Sequence, residues 1–142
     1  MRITKETDYA LRMMSMLASS EGISDAKTIA DTAGVPQRFS LKILRKLMSA
    51  GLVKSYKGAN GGYTLDGTPD KITLKQIVEA IEGPITISQC LSDGFECSHG
   101  EGMKTSCYFY HVFDDINGII AEKLSGITMQ SVLDCTSGKT DK

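Results

Sequence analysis

Gly34 and Pro36 stand two residues apart between two stretches of helical periodicity, and this punctuation constrains the chain more than any other feature. A glycine ends a helix in the left-handed conformation, and a proline opens the next because its missing N–H would have no partner there. A short helix, capped by Ser24 and carrying Ile29, Ala30 and Ala33, must therefore turn tightly into a second, which runs from Pro36 to about Ala50, before Gly51. Two helices joined in this way form a helix-turn-helix. Leu52–Tyr56 and Tyr63–Leu65 read as short strands around Lys57-Gly58-Ala59-Asn60-Gly61-Gly62, where the Asn-Gly step signals a hairpin.

The flanks complete the expectation. Tyr9, Ala10, Met13, Met14 and Leu17 recur at helical spacing over residues 4–20, and Glu21-Gly22 closes that run. Thr73 and Gln76 have the form of a capping box opening a helix through Ile77, Val78 and Ile81, which Gly83-Pro84 ends. Residues 84–107 lack periodicity and hold glycines and three cysteines, which predicts an irregular loop. From Tyr108 to about Leu124 a broad stripe of Phe109, Val112, Phe113, Ile116, Ile119, Ile120 and Leu124 predicts a long helix, and Thr128 caps one last turn with Val132 and Leu133. The fold class expected is mainly α with a small β-hairpin wing (α+β), a winged helix-turn-helix with a long C-terminal helix. Its parts are a DNA-binding domain over 1–83, a cysteine-bearing loop over 84–107 and a dimerisation region over 108–134.

The formal net charge of -1 hides a division along the chain. Residues 1–63 hold ten Lys and Arg against five Asp and Glu, whereas residues 64–142 hold six against twelve. The basic half is the one suited to an anionic polymer. On a helical wheel Phe39, Ile43, Leu44 and Leu47 face the core, while Arg38, Lys42 and Arg45 fall together on the other side. Like charges so spaced destabilise an isolated helix, and phosphates would relieve them. The partner expected is double-stranded DNA. Gln37, Arg38, Phe39 and Ser40, at the start of the recognition helix, are assigned to base edges. Lys42, Arg45, Lys46 and the wing residues Lys57 and Asn60 are assigned to positioning contacts, chiefly with phosphates. No nucleophile elbow, P-loop or dinucleotide fingerprint is present, so nothing points to an enzyme.

The polar start has no signal-peptide pattern, and no apolar run approaches the roughly 20 residues that span a bilayer, so a cytoplasmic protein with no membrane partner is expected. Thiols stay reduced in that compartment, and clustered cysteines there point to metal or redox chemistry. Cys90, Cys97 and Cys107 are separated by six and nine residues, with His99 and His111 nearby, a spacing unlike paired zinc-finger cysteines. Three thiolates are one short of the usual four for zinc or iron–sulfur ligation. Read from the residues alone, a metal centre and a set of buried or redox-active thiols both remain open. Cys135, in the polar tail, is a bystander.

Met1-Arg2-Ile3-Thr4, Thr7-Asp8-Tyr9-Ala10-Leu11-Arg12, Leu47-x-x-Ala50-Gly51-Leu52-Val53, Asn60-Gly61-Gly62-Tyr63-x-Leu65, Ile81-Glu82-Gly83-Pro84 and the cysteine loop together resemble the Rrf2 family of bacterial winged-helix regulators, from Met1 to about Leu133. The resemblance implies a homodimer built on the long helix and binding a palindromic operator, most simply as a repressor. It implies an iron–sulfur cluster, of the 2Fe–2S or the 4Fe–4S type, ligated by Cys90, Cys97 and Cys107 and sensing nitric oxide, oxygen or iron. The fourth ligand it implies is either Asp8 of the partner subunit, as in the nitric-oxide regulators, or His111, as in the iron–sulfur regulators. A metal-free thiol-redox or small-molecule-responsive repressor of the same fold is the alternative.

Overall fold

The computed structural model describes residues 2–100 and 102–138. The first helix, α1 (Lys5–Ser19), is capped by the Thr4 hydroxyl, which accepts from the Thr7 N–H. Its apolar face, Ala10, Met13, Met14 and Leu17, is buried as the periodicity requires. Four other helices pack against it: α2 (Ala26–Ala33), α3 (Gln37–Ser49), α4 (Leu74–Glu82) and α7 (Met129–Thr136). The core they enclose includes Ile29, Ile43, Leu44, Leu47, Ile77 and Met129. Full burial of side chains this size stabilises by about 1.5–3 kcal/mol each. No helix among the described residues is long and apolar enough to cross a membrane.

The turn between α2 and α3 forms as its punctuation predicts, with Gly34 left-handed at φ 68°. Two boundaries shift. Asp25, not Ser24, caps α2, accepting from the Thr28 N–H at 2.7 Å, a bond that lowers the carboxyl pKa of Asp25. Pro36 is the residue before α3 and not its first residue. Ser24 stands one residue too early to cap α2, its hydroxyl lies 3.1 Å from that of Ser20, and its backbone is paired elsewhere. Its N–H donates to the Tyr63 carbonyl at 3.1 Å and its carbonyl accepts from the Tyr63 N–H at 2.8 Å.

That bridge fastens the wing to the α1–α2 connection. Strands β1 (Val53–Tyr56) and β2 (Gly62–Leu65) pair antiparallel, with Val53 opposite Leu65 and Tyr56 opposite Gly62. The corner of the hairpin is Ala59-Asn60, closed by the Gly61 N–H donating to the Gly58 carbonyl at 3.0 Å, and not the Asn60-Gly61 step. The glycine pair has another purpose. A Cβ at Gly61 would run into the Tyr56 carbonyl, and one at Gly62 into the backbone of Ser24, so neither approach tolerates a side chain.

α4 begins with the complete Thr73/Gln76 capping box and ends at Gly83. Its last residue reaches back to the start of the chain: the hydroxyls of Thr4 and Thr7 donate to Glu82 Oε1, and the Thr4 N–H lies 3.4 Å from the same oxygen. These donors, the Thr4 hydroxyl foremost, hold the Glu82 carboxyl below the usual range. Beyond Pro84 the loop contains a 3-10 turn at Gln89–Leu91 and a single turn of helix, α5 (Met103–Ser106). The long helix α6 (Tyr108–Ser125) follows and packs on α4 and on the 3-10 turn. α7 is the short C-terminal helix expected after Thr128, which caps it, and its eight residues make more than the one turn read from the sequence. The Met129 N–H donates to the Ile72 carbonyl at 2.8 Å, and the Met129 side chain enters the core.

The lowered pKa of Glu82 fixes the sign of its pH effect. Its stabilisation is present above the ordinary value of 4.5 and is lost as pH falls through the lower folded-state value. Glu82→Gln is expected to lower the urea midpoint at neutral pH and to flatten the decline of wild-type stability on acidification below about pH 5. An unchanged acid decline in the variant would contradict the clamp.

Candidate nucleic-acid interface and cysteine loop

Helix α3 separates into two faces. Ile43, Leu44 and Leu47 are fully buried, while Gln37, Arg38, Leu41, Lys42 and Arg45 are exposed. Two of the base-edge assignments made from sequence are thereby corrected. Ser40 is 2% exposed and its hydroxyl donates to the Gln37 carbonyl at 2.8 Å, because its place on the wheel is inward. Phe39 is half-buried at the edge of the core, its ring 5.9 Å from that of Tyr9 on α1. The Arg38 guanidinium lies over the Phe39 ring, 4.8 Å from its centroid. Phe39 thus steadies Arg38, at the helix start, by a cation–π contact.

The cations also divide. Lys46 is half-buried and pairs with Glu6 of α1 at 2.9 Å, with Lys42 more loosely placed at 3.7 Å from the same oxygen. Lys46 therefore links α3 to α1. Arg38 and Arg45 on the helix, and Lys57 and Asn60 on the wing, are exposed.

The cysteine segment is tied down at its beginning. On α6, Asn117 donates through Nδ2 to the Ile85 carbonyl at 2.9 Å and accepts the Ile87 N–H at Oδ1, also at 2.9 Å. With Glu82 held by α1, residues 82–87 are fastened on both sides. Cys90 lies in the 3-10 turn with its Sγ 3.2 Å from the Ser88 hydroxyl, Cys97 lies in the open loop, and Cys107 immediately precedes α6. All three are half-buried free thiols, whereas Cys135 is an exposed one on α7. Among the described residues no three His, Cys, Asp or Glu side chains stand close enough together to hold a metal ion. The two fourth-ligand candidates are engaged: Asp8 pairs with Arg12 at 2.8 Å, and His111 Nε2 is 2.9 Å from the Thr105 carbonyl. A carbonyl only accepts, so Nε2 carries the proton when this bond forms, and in the neutral ring that leaves Nδ1 as the acceptor.

The sequence reading missed two residues. Asn117 is a lone amide in the apolar stripe of α6, and Leu41 is a lone aliphatic among the cations of α3; in each case the break in pattern was the available signal. The stripe of α6 also divides. Phe109, Phe113, Ile116 and Ile119 are exposed, while Val112 and Ile120 are half-buried on the side that packs against the rest of the chain.

The family model described as "Rrf2: Iron-dependent Transcriptional regulator" matches residues 3–135. Protein aau3 of Rhizobium meliloti (strain 1021) is 40% identical over 95 residues, covering 66% of this chain but only 62% of that protein. The HTH-type transcriptional regulator CymR of Bacillus subtilis (strain 168) is 39% identical over 95 residues, covering 66% of this chain and 69% of CymR. The solved structure of B. subtilis CymR, described as the global cysteine regulator, superposes with a TM-score of 0.71 at 29% identity over 99% of both chains. That of T. potens IscR superposes with a TM-score of 0.72 at 27% identity, over 100% of this chain and 93% of IscR.

The division of cations makes an expectation that separates DNA contact from bracing. Arg45→Ala should weaken binding to operator and random DNA alike and reduce the slope of log affinity against log salt by about one, with an unchanged urea midpoint. Lys46→Ala should instead lower stability by up to about 1 kcal/mol, the range of partly exposed ion pairs. The reverse assignment of the two effects would overturn the division.

Proposed function

Because the chain belongs to the Rrf2 family of transcriptional regulators, we propose that it is a homodimeric operator-binding repressor whose DNA affinity is set by an iron–sulfur cluster on Cys90, Cys97 and Cys107. The observation that carries this reading is the placement of three free, half-buried thiols on one segment whose start is tied to both α1 and α6. Thiolate donors suit iron–sulfur clusters. Their chemistry fits the group, although the loop as it stands does not gather them, so ligation requires the segment from Cys90 to Cys107 to close. When bound, the cluster would supply a centre that reacts with nitric oxide or oxygen.

The chain's own residues give such closure a route to DNA. Residues 82–87 hang from Thr4 and Thr7 on α1, and α1 holds the recognition helix through Glu6 and Lys46 and through the Tyr9–Phe39 ring contact. In this reading residues 1–83 bind DNA, 84–107 sense and 108–134 dimerise. Phe109, Phe113, Ile116 and Ile119 of α6 form the dimer seam, since an apolar row this continuous on a charged chain calls for a second copy to cover it. Asp8 can offer Oδ1 to the other subunit's site while its Oδ2 stays paired with Arg12, and His111 can offer Nδ1 while its Nε2 stays bonded to Thr105. Arg38 and Gln37 read bases, and Arg45, Lys42, Lys57 and Asn60 hold the backbone.

A metal-free thiol sensor is the second reading, favoured by the absence of a gathered donor set among the described residues and by the similarity to a regulator described as the global cysteine regulator. Anaerobic, iron-replete purification separates the two. The proposal expects a coloured protein with bound iron and sulfide, with most of the chromophore lost in each of Cys90→Ser, Cys97→Ser and Cys107→Ser and retained in Cys135→Ser, all four still folded. Colourless wild-type protein would leave the thiol sensor standing.

The seam is tested separately. Ile116→Glu should convert a dimer to monomers or aggregates by light scattering, and a dimer of unchanged mass would defeat this seam.

A further inference from the structure

We propose that Leu41 is a specificity-determining residue that packs against the 5-methyl group of a thymine in the operator's major groove, an inference that rests on α3 being the recognition helix. Leu41 is 46% exposed, the sole large aliphatic of α3 set outward while Ile43, Leu44 and Leu47 are at 0%. An exposed leucine by itself means little. The neighbours of Leu41 give it a meaning. It lies one helical turn beyond Gln37 and Arg38 and one turn before Arg45, on the same exposed arc.

The Arg38 guanidinium is drawn aside over the Phe39 ring at 4.8 Å, which leaves Leu41 uncovered at the middle of the basic face. A surface with cations on both sides of one apolar side chain is complementary to a polyanion that displays an apolar group between its phosphates. Duplex DNA meets that description in one place. Of the groups on the major-groove edges of the bases, the thymine methyl is the one that is apolar. Arg45 positions the helix on the backbone, Arg38 reads a neighbouring base, and Leu41 then buries that methyl group, worth about fourfold in affinity by the area such a group removes from water.

The test uses the dimer as purified and a duplex that the protein itself selects from a random-sequence pool. Each thymine in the selected duplex is replaced in turn by deoxyuridine, which lacks only the methyl group. The wild type is expected to lose about fourfold in affinity at one thymine position in each half-site. Leu41→Ala should bind the parent duplex weaker by a similar factor and show no difference between thymine and uridine at that position. Its affinity for random DNA and its melting temperature should match the wild type, because the side chain contributes nothing to the core. If no uridine replacement matters, or if the same sensitivity persists in Leu41→Ala, the proposal is overturned. A wild type that enriches no sequence over random duplex would instead overturn the reading of α3 on which the proposal rests.

Discussion

The apolar face of α1 is the surface against which the rest of the molecule is assembled. Ala10, Met13, Met14 and Leu17 leave no part of that face open to water, and α2, α3, α4 and α7 all take their positions from it. Removing a buried side chain of this size without repacking costs about 2–5 kcal/mol, a large part of the stability of a single domain. The polar contacts of α1 are as consequential as its apolar ones. At its first turn Thr4 and Thr7 hold Glu82, two residues before the cysteine segment, and Glu6 holds Lys46 of the recognition helix. The helix that organises the core is therefore also in contact with both ends of the proposed signal.

This arrangement leaves most of the outward surface of α3 out of the packing. Lys46 and Phe39 are taken up in holding α3 to α1, and Ser40 is turned inward, which leaves Gln37, Arg38, Leu41, Lys42 and Arg45 to face outward. The wing is set by the same economy of means. Asp25 takes the capping role and the Ser24 backbone pairs with Tyr63, so the hairpin is anchored by backbone bonds while Lys57 and Asn60 stay exposed.

Much of the fold was legible in the sequence because its signals are local. The Gly34 stop, the Thr73/Gln76 box and the periodicity of α1, α3, α4 and α6 each depend on neighbours within a turn or two, and each formed where expected. What was misread depends on partners distant in the chain. Ser24 was taken for a cap because nothing nearby reveals the strand pairing with Tyr63. Lys46 reads as one more cation until Glu6 is folded against it, and α7 reads as a single turn until Met129 is seen to fill the core. In the site, helical spacing alone separated Arg38, Lys42 and Arg45 from the buried face, but it could not weigh Ser40 or Phe39, whose roles rest on contacts. The cysteine loop is the least legible part, since an irregular segment has no period from which positions can be read.

The central claim is that the state of the cysteine segment sets the grip of α3 on DNA. The most direct measurement is anaerobic operator affinity followed across preparations that range from metal-free to fully cluster-loaded, with random duplex as the reference. The account predicts that specific affinity changes in proportion to cluster content while affinity for random DNA stays level. Equal operator affinity at every cluster content would contradict it.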